Sequence, residues 1–194
     1  VTKEQLTSEI SAFKANAFKA TEVFLSPKNT LQARLNSMAN FPFIYDEGQI
    51  AKAKAIVLDE KEPADLRALA LSRLVPYIPT DEILGNSVLK WVQDPKTPKV
   101  LRDETLNTLK ALIFSDFATF TRRQELTAVM RTLSRDPQLP FRQFALGFLM
   151  DHGDSFAQNL LIEQLDKGKT DLLPTVEMLR LLALKPKGDY LPTA

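Results

Sequence analysis

No cysteine occurs in the chain, which removes disulfides, thiolate nucleophiles and cysteine-based zinc sites together. That absence suits a reducing or an oxidising compartment, and leans toward an extracytoplasmic one. Histidine occurs once, as His152, so the two-histidine metal motifs are excluded as well. An excess of charge of either sign is also missing, with 25 Lys and Arg against 24 Asp and Glu. A balance of +1 argues against nucleic acid or an acidic membrane as the main partner. No apolar run approaches the roughly 18 residues of a membrane-spanning helix, so no membrane insertion is expected, and no signal-peptide pattern opens the chain. The first residue is Val1 rather than Met, so the chain reads as a processed protein or as a segment of a longer one. Phosphate loops, dinucleotide fingerprints, zinc-protease helices, nucleophile elbows and EF-hand loops are absent. No cofactor, metal site or catalytic residue is therefore expected.

What is present is an ordinary globular composition, 44% hydrophobic and 25% charged, arranged in a repeat. Three stretches align: residues 59–71, 94–106 and 136–146. In each an Asp (Asp59, Asp94, Asp136) ends one helix and a Pro (Pro63, Pro98, Pro140) opens the next at its first position. An apolar–Arg pair follows, with Arg67, Arg102 and Arg142 as the arginines. A small residue stands three places later (Ala70, Thr105, Ala145), and leucines stand at four and seven places. Those offsets form one helical face, and the small residue lets a neighbouring helix approach. A fainter copy centres on Arg34, and a degenerate one without the Arg runs through Pro174 to Leu182.

Helix starts are read at Ser26-Pro27, Thr80-Asp81, Thr97-Pro98, Ser155 and Thr170-Asp171. Thr121 to Gln124 reads as a capping box, and Gly153 and Gly168 as residues just past helix ends. The expected architecture is all-α, a single domain over residues 1–194 built of five antiparallel hairpins. They run approximately over 3–40, 47–75, 81–114, 121–152 and 155–184. One such hairpin cannot bury its own stripe, so neighbours must stack into a continuous core.

The Asp-turn-Pro-x-x-apolar-Arg-x-x-small-apolar-x-x-Leu pattern at 59–74 and 94–109, with its shorter form at 136–149, resembles the HEAT-like (armadillo-type) helical repeats. That resemblance covers roughly residues 27–184. It implies a right-handed α-α superhelix, or solenoid, with a groove for a protein partner, and it implies no activity.

Several residues stand out against this background. Arg34, Arg67, Arg102 and Arg142 would form a column on stacked repeats, either a basic stripe or a ladder bonding turn carboxylates or a neighbouring helix end. The ladder is the preferred reading. Phe117 and Phe120, followed by Arg122 and Arg123, lie where the repeat spacing stretches to 40 residues (Arg102 to Arg142). They form a candidate aromatic-basic contact patch, although folding back into the gap between repeats is preferred there. Phe144 and Phe148 are an i,i+4 pair displaced from the core stripe; they are the first candidates for partner contact on the groove side, with burial against the fifth repeat an equal alternative. Trp91 reads as an interhelix residue and His152 as a donor at a helix end.

The function expected is a non-catalytic protein-binding scaffold whose partner is another protein or other domains of a longer chain. The alternative is a helical-repeat enzyme or nucleic-acid-binding protein similar to the HEAT-like DNA glycosylases, which needs a strongly basic groove.

Overall fold

The computed structural model describes residues 2–41, 43–114 and 122–184, all helix and connection, with no strand among them. We number the α-helices α1 Lys3–Leu25, α2 Leu31–Ser37, α3 Glu47–Leu58, α4 Ala64–Arg73, α5 Glu82–Gln93, α6 Lys99–Phe114, α7 Arg123–Leu133, α8 Leu139–Asp151, α9 Ser155–Asp166 and α10 Thr175–Leu184. A short 3-10 helix, Val75–Thr80, joins α4 to α5. The packing divides into two compact units, residues 1–118 and 119–194.

In the first unit α1 packs on α2, α3 on α4 and α5 on α6; α2, α4 and α6 also pack in sequence, as do α1 and α3. The offsets read from the sequence locate the core. Leu66, Ala70, Leu71 and Leu74 on α4 are buried, as are Leu101, Thr105, Leu106 and Leu109 on α6. Each fully buried leucine contributes roughly 1.5–3 kcal/mol, so these faces dominate the unit's stability. The second unit repeats the arrangement on α8, with Phe141, Ala145, Leu146 and Leu149 buried. There α7 packs on α8, α9 on α10, and α8 on both α9 and α10.

The helix starts differ in detail from those expected. Proline is not the first helical residue of α4: Pro63 is its N-cap, and its carbonyl accepts the Arg67 N–H at 3.0 Å. Pro98 likewise accepts from Arg102 at 2.9 Å, and Pro174 from Met178 at 3.1 Å. A cap needs a carbonyl and no N–H, which suits proline as well as the first helical position does. Of these prolines Pro140 alone lies inside its helix, behind the N-cap Gln138. The second helix of the first pair begins at Leu31 rather than Pro27, because Ser26 already ends α1 and the Thr30 hydroxyl caps α2 through Ala33 N–H. Helix α9 is capped by Asp154 instead of Ser155. The last helix starts at Thr175, four residues after Asp171. Helix α7 starts at Arg123 with Arg122 as N-cap and no side-chain cap bond; Thr121, the first residue of the expected box, lies outside the described residues. Gly153 and Gly168 do occupy the left-handed region, with φ of 67° and 61°.

Candidate functional site

The arginine column is scaffold. Each arginine stands four residues past its N-cap, at Thr30/Arg34, Pro63/Arg67, Pro98/Arg102 and Gln138/Arg142. Three of them make one bond in one register. Arg34 Nε donates to Phe24 O at 2.7 Å, Arg67 Nε to Val57 O at 3.0 Å, and Arg102 Nε to Val92 O at 3.0 Å. Each acceptor lies ten residues back, at the penultimate position of the preceding helix, where carbonyls have no partner inside the helix. The basic guanidinium also suits the negative end of that helix dipole. The turn carboxylates Asp59, Asp94 and Asp136 each accept the N–H two residues ahead, shaping the connection. Arg142 departs from this bond although its connection is equally long: its Nε donates to Leu172 O at 2.9 Å, and its guanidinium also donates to Asp136 O and Pro137 O. Neighbouring pairs are joined by the same side chains: Arg34 meets Glu62 at 3.5 Å, and the Arg67 guanidinium lies over the Trp91 ring, 5.3 Å from its centroid.

The residues singled out for partner contact are placed as follows. Phe148 is buried and stacks on His152 with centroids 4.1 Å apart, while Phe144 is half-buried. His152 closes α8, its Nδ1 2.8 Å from Phe148 O. A carbonyl only accepts, so Nδ1 carries the proton there. Arg122 is half-exposed and pairs with Glu125 at 2.7 Å. Phe117 and Phe120 lie outside the described residues, as does the side chain of Arg123. The structure therefore does not gather these six residues into one described patch.

The exposed apolar surface lies instead on α1. Residues 2–16 are all exposed, yet the helix carries a regular stripe through them. Leu6, Ile10 and Phe13 continue the line of Ala17 and Phe24, which are buried against the rest of the unit. The spacings of four, three and four residues (6, 10, 13, 17) keep the stripe on one face. Phe13 packs on Phe41 at 5.5 Å and, edge to face, on Tyr45 at 6.5 Å. The segment before α3 is tied down from the other side. Tyr77 donates its hydroxyl hydrogen to Ile44 O, and Arg73 donates to Met38 O at 3.1 Å. Ile10, Phe13, Phe18 and Tyr45 each leave between 42% and 47% of their surface exposed. Ile10 and Phe13 lie on the stripe, Tyr45 meets Phe13, and Phe18 lies to the side of the stripe, so the apolar exposure is concentrated on this helix rather than scattered singly.

Beside this face is a recess of about 400 Å³ lined by Lys14, Ala17, Phe18, Thr21, Tyr45, Asp46 and Gln49. Asp46 is the N-cap of α3, with Oδ1 accepting Gln49 N–H at 2.9 Å. Gln49 is buried and donates from Nε2 to Phe18 O and to Glu22 Oε1. One junction further along, the N-cap of α5 is Asp81, and Lys54 of α3 binds its Oδ2 at 2.5 Å. Burial pushes the Asp81 carboxyl up, but the Lys54 hydrogen bond and charge and the Leu84 and Ile83 N–H groups outweigh it. The net result lies below the ordinary aspartate range. In the second unit Arg131 meets Asp154, the N-cap of α9, at 2.8 Å.

Sequence reading missed this face because the α1 stripe is continuous from Leu6 to Phe24, and its spacing carries no sign of which half is covered. A second, aliphatic face is exposed on α10 through Val176, Leu179 and Leu184. Among the described residues no group of three His, Asp or Glu side chains is placed to hold a metal ion, and no helix is long and apolar enough to cross a membrane. No family model, curated protein or solved structure matches this chain.

Proposed function

We propose that this chain is a non-catalytic protein-binding scaffold of the HEAT-like kind, a right-handed superhelix of antiparallel hairpins that holds a polypeptide partner on its first pair. The observation that carries the reading is the α1 stripe, apolar at helical spacing and exposed over residues 2–16. An apolar stripe in contact with water costs about 25 cal/mol per Å², and a partner removes that cost. The repeat reading draws support from the shared N-cap-plus-four arginine and its bond ten residues back in three successive pairs. Stacked units that share one internal bond pattern are the expected result of a repeat sequence.

The test is capture from native extract with the intact chain and with Ile10→Asp, Phe13→Ser and Phe144→Ala variants, each checked for helix content by circular dichroism. Partners lost with Ile10→Asp and Phe13→Ser support the α1 face. Partners lost with Phe144→Ala alone would move the contact to the second unit. Partners indifferent to all three would end the reading.

A further inference from the structure

The recess beside the α1 face has an internal template, because the same junction occurs again one repeat later. Thr21 lies 13 residues before Arg34, and Lys54 lies 13 before Arg67 (34 − 21; 67 − 54). Asp46 lies 21 residues before Arg67, and Asp81 lies 21 before Arg102 (67 − 46; 102 − 81). Thr21 and Asp46 therefore hold the places that Lys54 and Asp81 hold at the next junction. There an ammonium sits on the N-cap carboxylate, with Ala51 and Thr80 at the neighbouring equivalent positions (18 + 33; 45 + 35). At the first junction the lysine is replaced by the short Thr21, whose hydroxyl is turned back to Ala17 O at 2.8 Å. The alanine and the threonine are replaced by the rings of Phe18 and Tyr45. The result is a recess of about 400 Å³ lined by the exposed Asp46 carboxylate and by two half-exposed aromatics.

Resting on the scaffold reading, we infer that this recess receives a lysine side chain of the bound polypeptide, whose ammonium takes the position on Asp46 that Lys54 takes on Asp81. Two features favour that occupant. The carboxylate supplies the charge-assisted acceptor, and its Oδ1 is already oriented by Gln49 N–H. Aromatic faces attract an ammonium and also cover its methylene stem. The positive end of a helix dipole opposes a cation in principle, but the Lys54–Asp81 pair forms at the same kind of helix start, so the carboxylate dominates. Lys14 also lines the recess and sets a bias against cations, which the test uses.

The probe is Nα-acetyl-lysine amide, titrated at millimolar concentration into the intact chain and followed by amide and side-chain NMR shifts. We expect saturable shifts centred on Phe18, Tyr45 and Gln49, and none with the Nε-acetylated probe. Asp46→Asn keeps a good N-cap, so the fold survives, and binding should weaken about tenfold or more. Lys14→Gln removes the competing charge and should tighten binding. Thr21→Lys supplies the cation from within the chain and should abolish it; if that variant does not fold, Asp46→Asn and Lys14→Gln decide alone. Equal response to the acetylated probe, indifference to Asp46→Asn, or weaker binding in Lys14→Gln would overturn the assignment. A lysine probe that binds as expected while partner capture ignores Ile10→Asp upholds the recess and removes only the scaffold reading.

Discussion

Arg102 Nε donates to the Val92 carbonyl across 3.0 Å, tying the second helix of its pair to the end of the first. Arg102 is 1% exposed, so this bond is made by a buried guanidinium. Arg67 and Arg34 repeat the bond in the two preceding pairs.

Arg102→Ala is therefore expected to destabilise the protein by about 2–4 kcal/mol, because it leaves Val92 O unsatisfied and opens a cavity. Arg102→Lys should recover little, since an ammonium cannot reproduce the directed Nε–H. Arg180→Ala, which removes only a surface pair with Glu177, should leave stability essentially unchanged. Urea unfolding followed by circular dichroism compares the three. Equal losses in Arg102→Ala and Arg180→Ala would refute the structural assignment.

Acid should act through Asp81. Its folded carboxyl titrates below the ordinary range, so its contribution is fully present above the unfolded value of about 3.9 and is lost as pH falls through the folded one. Asp81→Asn keeps the cap and removes this titration. The variant's urea midpoint should decline less steeply than the parent's between about pH 5 and pH 2. An unchanged slope would mean that Lys54 and Asp81 are not coupled in solution.

Two glycines should respond to alanine with opposite signs. Gly147 lies inside α8, and a Cβ there meets nothing within 4 Å, so Gly147→Ala should stabilise by about 0.5–1 kcal/mol. Gly153 has a φ of 67°, where alanine is strained, so Gly153→Ala should destabilise by about 1 kcal/mol. Melting temperatures of the two variants measure the signs directly.

Hydrogen exchange should divide α1. Its amides share one helix, but only the part beyond residue 16 carries buried side chains. Residues 6–16 are expected to exchange faster than residues 17–25, because a solvated helical segment opens without breaking the core. Bound partner should slow the first group. Uniform protection along α1 in the free chain would show that something already covers the stripe.

Much of this architecture was legible beforehand. The offsets around each arginine picked out the buried residues of α4, α6 and α8, because one covered face per helix forces a period near 3.6 on the chain. Caps were less legible. Pro63 and Pro98 were placed one position too far into their helices, since proline satisfies both positions equally well. The arginines were read as a ladder onto turn carboxylates or a neighbouring helix end; the sequence left those two acceptors open, and the position of the helix end puts Nε of Arg34, Arg67 and Arg102 on a main-chain carbonyl. The pairing of Phe148 with His152 was hidden for a similar reason, because α8 buries more than one narrow stripe.

By itself the sequence determined that the chain is helical, where its main core faces lie, and which chemistries it lacks, because periodicity and residue type act locally along the chain. The tertiary structure alone decided which apolar residues remain in water. Leu6, Ile10 and Phe13 continue the same stripe as Ala17 and Phe24, and the difference between them is whether another helix lies opposite. It decided also that Thr21 matters. A threonine aligned with a lysine is an ordinary substitution until Lys54 is found on Asp81, and the recess beside Asp46 then has a defined counterpart.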